Sequence, residues 1–300
     1  VEAVYAWLPD TRVAVVEMAQ ASGLPLLSAS ERAPLRTTTL GTGQVLRHAL
    51  ARRPREILLT LGGSATVDGG VGAARALGWR FLDRAGHHVV LGGGGLERIH
   101  RIRPPFPYLK LPPVTVLCDV RNPLCGPDGA ASVFGPQKGA TPGQVMLLDR
   151  GLRSLSDRIL AELGLGLAEV PGAGAAGGFG AGAMAFLGGR LTPGFDAVAR
   201  VVGLERALAN CDLVVTGEGM LDASSLQGKV VRRVAALGEA AGVPVIAVVG
   251  QCSLGAEACR AAGLARVICL DQLAGGLKFA LGQPRAALAA AARALAAALG

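Results

Sequence analysis

The chain has 300 residues, 51% of them hydrophobic, and a formal net charge of +8 at pH 7, with a mean hydropathy of +0.43. That length buries a sizeable core without metal or disulfide staples, and no run approaches the roughly 18 consecutive apolar residues of a membrane span, so neither the membrane nor a stapled mini-fold is expected. The arginines are scattered with few aromatics between them, which speaks against nucleic acid and leaves a surface that attracts small anions.

The start, VEAVYAWLPDTR, lacks the basic head and apolar core of a secretion signal, so the cytoplasm is the expected compartment. VAVVEMA and EILLTL read as strands, and the glycine-rich GGSATVDGG follows the second before an apolar helical pattern resumes at VGAARALGW. WRFLDRAGHHVVL reads as a hairpin turning at DRAG, and VTVLCD as a further strand. A long helix is expected from Thr141 or Pro142, threonine capping and proline in the first turn, through VMLLDRGLRSLSDRILAELG to the glycines of LGLGL. PGAGAAGGFGAGAMAFLGG and the TPGF after it read as a hinge between two domains. From Cys211 onward, DLVVTG, VPVIAVVG and RVICLD alternate with helical stretches, the pattern of βαβ units on a parallel, Rossmann-like or flavodoxin-like sheet. The six cysteines form no CxxC pair and read as small buried hydrophobes, and His48, His87, His88 and His100 lack ligand spacing.

The chemistry gathers at strand-to-loop junctions. GxxxxGK[ST] is absent, because Gly228-Lys229 is followed by Val230, and the GTG at Gly41 to Gly43 lacks the strand and acid of a dinucleotide fingerprint. Three junctions remain, carrying Ser64, Thr66 and Asp68, then Asp119 and Asn122, then Glu218, Asp222 and Lys229. Ligands of parallel α/β sheets bind outside the carboxyl ends of the strands, where glycines let phosphate oxygens reach backbone amides. Gly62, Gly63, Ser64, Thr66, Gly217, Glu218 and Gly219 are therefore expected to bind nucleotide. Asp68, Glu218 and Asp222 offer hard oxygens to Mg²⁺, Asp68 or Asp119 is suited to take a proton from an attacking hydroxyl, and Lys229 offsets phosphate charge. Each residue has a plainer reading as well. The glycines suit a tight connection, Asp68 and Asp222 suit helix caps, and Lys138 suits a solvated turn.

At these residues the chain resembles the bacterial glycerate kinase family of the glycerate 2-kinase type. The resemblance is carried by VVEMAQASGL, TTTLGTGQVLRHAL, GGSATVDGGVGAARALG, CDVRNPLCGPDGAASVFGPQKGAT, GAGAAGGFGAGAMAFLG and TGEGMLDASSLQGKVVRRVA, in the family's order. It implies two α/β domains, residues 1–190 being a mixed domain inserted into a Rossmann-like domain of which residues 191–300 form the C-terminal part, with the active site in the cleft between them. It also implies Mg²⁺-dependent transfer of the γ-phosphoryl group of ATP to D-glycerate, with 2-phosphoglycerate the expected product. Asn122, Gln137 and Lys138 are carried over as substrate-binding residues, and Asp68, Asp119, Asp222 and Lys229 as catalytic ones. The expected partners are ATP and D-glycerate, with no nucleic acid and no membrane, and a homodimer is a candidate assembly. The family's opening PDSFKGS-like and ADGGEG-like loops do not precede Val1, so the chain is expected to lack an N-terminal part, and Met220 stands where the family usually has arginine. Two rivals follow: a nicotinamide-dependent oxidoreductase built on the C-terminal βαβ region, and a truncated remnant that binds ligand without turnover.

Overall fold

The computed structural model describes residues 1–107, 109–223, 225–227, 230–273 and 275–299, so Lys229 lies outside the described residues. The chain divides into two compact units, Val1–Gly194 and Phe195–Gly300, each with its own core. The division falls within TPGF.

The strands of the first unit are β1 (Ala6–Leu8), β2 (Val13–Glu17), β3 (Glu56–Thr60), β4 (Arg80–Leu82), β5 (Arg101–Arg103), β6 (Val114–Leu117) and β7 (Arg190–Thr192). Five of them form one sheet in the order β1-β2-β3-β6-β7, in which only β1 runs antiparallel to its neighbour. Ile57, Leu58 and Leu59 of the central β3 are all buried, the continuous apolar run of a parallel strand covered on both faces. Ile57, Leu59 and Val116 pack with Leu46 and Phe179, while Phe81, Leu148, Leu152 and Leu155 form a second cluster.

The long helix runs Pro142–Leu163. The Thr141 hydroxyl accepts from Gln144 N at 3.4 Å while Gln144 Oε1 accepts from Thr141 N at 3.0 Å, and Gly164 closes the other end at φ 72°. The DRAG turn is present, with Gly86 N donating to Asp83 O and Val89 N to Phe81 O, but the ladder partner of β4 is β5 rather than the arm after the turn, which contributes only the Leu82–His88 bridge.

The glycine-rich stretch expected to be a hinge is instead buried, a helical span Ala175–Leu187 kinked at Ala176, Gly177 and Gly178, whose φ are 53°, 68° and 87°. Its glycines are there for close approach: a Cβ on Gly177 would lie 2.0 Å from Thr66 O, on Gly180 2.2 Å from Gly172 O, and on Gly182 2.1 Å from Gly69 O. The backbone of this helix thus packs directly against GGSATVDGG, and Gly69 N donates to Gly177 O at 3.0 Å.

In the second unit β8 (Val214–Leu221), β9 (Val245–Cys252) and β10 (Arg266–Cys269) form an all-parallel sheet in the order β10-β9-β8, with helices Val230–Ala241, Ala256–Ala261, Gly276–Gly282 and Pro284–Leu299 among its connections and ends. β8 runs further than the sequence suggests. Gly217, Glu218 and Gly219 belong to the strand, Glu218 opposite Val249, and Asp222 rather than Glu218 begins the turn. Among the described residues no helix is long and apolar enough to cross a membrane.

Replacing Gly182 with alanine forces a methyl group against the Gly69 carbonyl, and the expected loss is about 1–3 kcal/mol, the usual cost of overpacking. It is measured as a lower urea midpoint at unchanged m-value. An unchanged midpoint would show that this helix does not abut the loop.

Candidate active site

The carboxyl ends of β3 and β6 open into one cavity of about 430 Å³. Leu61, Gly62, Gly63 and Ser64 line it from the loop after β3, Leu117 and Asp119 from the end of β6, and Gln137 and Lys138 from the turn Pro136–Lys138. The structure therefore brings together Gly62, Gly63, Ser64, Asp119, Gln137 and Lys138, from three separate stretches of sequence. A wider hollow, about 560 Å³, lies beside Tyr5, Trp7, His48 and Arg52, away from these loops.

The two glycine pairs of GGSATVDGG do different things. Gly62 and Gly63 are exposed, and a Cβ on Gly62 would meet nothing within 4 Å, so that pair keeps backbone open toward the cavity. Gly69 and Gly70 have φ 60° and 76°, and a Cβ on them would strike Leu155 and Phe179, so that pair turns the chain inside the core.

Asp68 does not face the cavity. It is 0% exposed and accepts five hydrogen bonds: Oδ2 from Thr39 N at 2.8 Å, Thr39 Oγ1 at 3.0 Å, Thr38 Oγ1 at 3.1 Å and Gly72 N at 3.2 Å, and Oδ1 from Gly70 N at 3.1 Å. Burial pushes its carboxyl above the usual carboxylate range, and the hydrogen bonds from Thr39, Gly70 and Thr38 pull the other way. Thr39 and Gly70 flank the starts of helices Leu40–Leu50 and Val71–Ala76, so the charge sits where unpaired helical N–H groups gather. Thr38 and Thr39 were not singled out from sequence, although a threonine run directly before a helix is the signal that could have found them.

Lys138 is 2% exposed. Its Nζ donates to Ser64 Oγ at 2.6 Å and to Thr66 O at 2.8 Å, and no ion pair with a described carboxylate forms. Burial lowers its pKa to about 7, with the Asp68 charge pulling partly upward. The hydroxyl of Thr66 is buried without a hydrogen-bond partner among the described residues. Asp119 is exposed, and its Oδ1 accepts from Gly194 N at 2.8 Å. Asn122 does not line the cavity; its side chain donates to Asp128 O at 2.9 Å, and its carbonyl accepts from Gly172 N and Gly174 N. A residue that sequence reading missed is Ala176, which borders the cavity at φ 53°, a left-handed conformation rare for alanine and frequent at functional sites.

In the second unit Glu218 is half-buried and its Oε1 has no hydrogen-bond partner among the described residues. Asp222 Oδ1 accepts from Ser225 N at 3.1 Å, closing the turn after β8. Gly217 and Gly219 lie on either side of Glu218 in the strand. Among the described residues no three His, Cys, Asp or Glu side chains cluster as a ready-made metal cage.

Residues 1–300 match the model of the glycerate kinase family. A glycerate kinase of Halalkalibacterium halodurans is 45% identical over 260 residues, 86% of this chain and 68% of the relative. The glycerate 2-kinase of Escherichia coli K12 is 43% identical over 244 residues, 81% of this chain and 64% of the relative, so the chain spans about two thirds of the length of such relatives. A crystal structure of a protein assigned as glycerate kinase 2 from Salmonella typhimurium LT2 superposes with a TM-score of 0.82 at 39% identity, covering 100% of this chain and 80% of that one.

Two outcomes follow from this geometry. Because the folded pKa of Lys138, about 7, lies below its ordinary 10.5, the unfolded chain holds the extra proton between those values, and this residue makes stability rise with pH across that window. Lys138→Met is expected to lack that rise in urea melts at pH 7 and 9, and identical slopes in both proteins would put the ammonium in water. Asp68→Asn leaves an amide nitrogen among five donors and is expected to cost about 1–3 kcal/mol; a melt equal to wild type would show that this carboxylate is not the tie between the two helices.

Proposed function

This chain belongs to the glycerate kinase family, and we propose that the cavity of its first unit holds the acceptor in ATP-dependent phosphorylation of D-glycerate, with 2-phosphoglycerate as product. The observation that supports this placement best is the buried Lys138 ammonium at the cavity wall, hydrogen-bonded to Ser64 and to a carbonyl but to no carboxylate. Burial lowers the pKa of this amine to about 7, and an anionic ligand beside it supplies the counter-charge that keeps it an ammonium. Glycerate carries its carboxylate beside the hydroxyl that reacts. With the carboxylate against the open Gly62–Gly63 backbone and Ser64, the acceptor hydroxyl turns toward Asp119, whose carboxylate takes its proton as the phosphoryl group arrives in line.

Asp68 is then a positioning residue that fixes the GGSATVDGG loop, in place of the metal and catalytic roles expected from sequence. Asn122 likewise holds loop to loop. For the nucleotide, Glu218 and Asp222 fit a magnesium ion: Glu218 Oε1 is a buried hard oxygen without a partner among the described residues, and Mg²⁺ in kinases needs only one or two carboxylates beside phosphate and water. When bound, the ion neutralises charge developing on the transferred phosphoryl oxygens. Gly217 and Gly219 remain the proposed nucleotide-binding glycines, and Lys229 the residue proposed to offset phosphate charge. We read Phe195–Gly300 as the C-terminal part of a Rossmann-like domain and Val1–Gly194 as the domain inserted into it.

A coupled ADP-release assay tests the reading. Mg-ATP with D-glycerate is expected to yield ADP and Mg-ATP with glycerol is not, since glycerol lacks the anion. Lys138→Met is expected to lower kcat/KM by about 10²–10³-fold, and Asp119→Asn to lower kcat by about 10²–10⁴-fold. No glycerate-stimulated ADP would reject turnover by this chain, and glycerate binding without turnover would identify a remnant. Full activity of Asp119→Asn would remove the base from the scheme while leaving the kinase intact.

A further inference from the structure

The second unit holds a thiol cluster that the phosphoryl-transfer chemistry does not use. Cys252 ends β9, Cys259 lies on the helix Ala256–Ala261, and Cys269 ends β10. Cys252 Sγ and Cys259 Sγ are 3.9 Å apart, and the Cys252 thiol also donates to Leu254 O at 3.6 Å. All three border one cavity of about 270 Å³, whose rim also carries Arg260 and Arg266. Cys252 is half-buried and the other two are buried, so a small reagent reaches the cluster through the cavity and meets Cys252 first.

We propose that Cys252 and Cys259 form an oxidisable dithiol, a modification site at which a hydroperoxide makes an intrachain disulfide. In the first step the Cys252 sulfur attacks the peroxide, the O–O bond breaks, and Cys252 becomes a sulfenic acid while an alcohol, or water from hydrogen peroxide, leaves. The Cys259 sulfur then displaces water from that sulfenic acid. In all, two thiols lose two hydrogens and the peroxide is reduced by two electrons. Forming the bond closes the sulfurs from 3.9 Å to about 2.05 Å, and the residues between them include Gly255 and no proline. Burial holds the Cys259 thiol up and pushes Cys269 up to about 11. Thiols of that kind leave slowly in exchange, so the disulfide is a lasting staple rather than a rapid switch.

The bond has a defined structural reach. Cys252 pairs with Leu221, and Ser253 N donates to Leu221 O at 3.0 Å, one residue before Asp222. Oxidation thus ties the turn that begins at Asp222 to the helix carrying Cys259.

The reduced full chain, freed of reductant and treated with hydrogen peroxide, is alkylated and mapped by mass spectrometry under non-reducing conditions. The expected result is loss of two of the six free thiols with a linked peptide pair containing Cys252 and Cys259, and no such link in Cys252→Ser. Retention of all six thiols, overoxidation of Cys252 without a link, or links that omit Cys252 would each overturn the proposal. The wild-type map decides this without any variant, so a variant that fails to fold does not spare it. The readout is also independent of ADP release, so its failure is distinct from failure of the kinase reading.

Discussion

A buried carboxylate with no water to solvate it must find its hydrogen bonds inside the protein, and the five that Asp68 accepts hold the first unit's site in shape. They bind the loop after β3 to the start of the helix that follows it and to the start of Leu40–Leu50, which is distant in sequence. The same loop is pressed from the other side by the backbone of the helix Ala175–Leu187, where glycines let main chain meet main chain. Between these two restraints the open pair Gly62–Gly63 and the hydroxyl of Ser64 are presented to solvent-accessible space without freedom to wander. Preorganisation of this kind is what phosphoryl transfer asks of a protein, since positioning and charge neutralisation supply most of the rate.

Lys138 completes the arrangement by a different balance. Its Nζ is stabilised by a hydroxyl and a carbonyl, each a dipole rather than a charge, and by Asp68 only through the field. With its pKa lowered to about 7, such an amine is poised between its neutral and charged forms. The distance from Asp68 matters here. A direct ion pair would have satisfied the lysine and left little for a ligand to gain.

Much of this was legible in the sequence, for reasons that differ between elements. β2, β3, β6 and the long capped helix follow from local pattern, because an apolar run of strand length or a Thr-Pro cap signals the same structure wherever it occurs. The convergence of Ser64 and Asp119 followed from where loops fall on a parallel sheet, whereas Gln137 and Lys138 were reached only through the family resemblance. What failed was the reading of glycine. PGAGAAGGFGAGAMAFLGG has the composition of a flexible linker, yet Gly177 and Gly178 form a fixed kink at positive φ and Gly180 and Gly182 serve close main-chain contact, and no local rule separates a glycine that is mobile from one that is held in place. The direction in which Asp68 points was equally hidden: an acid after a strand suits a ligand or a cap, and only the tertiary placement of Thr38 and Thr39 decides between them. Glu218 lay in a strand rather than a loop because pairing with β9 overrides the turn preference of its flanking glycines.

The split between the inner and outer glycine pairs bears on how this scaffold could be re-engineered. The inner pair turns at positive φ directly against the Leu155 and Phe179 side chains, so it is closed to variation, and a library built there would return mostly misfolded protein. Gln137 and Phe134, by contrast, border the pocket as side chains on a separate turn and short helix. If the cavity takes the acceptor as proposed, new selectivity for larger hydroxy acids is to be sought by trimming those two positions while Ser64 is kept.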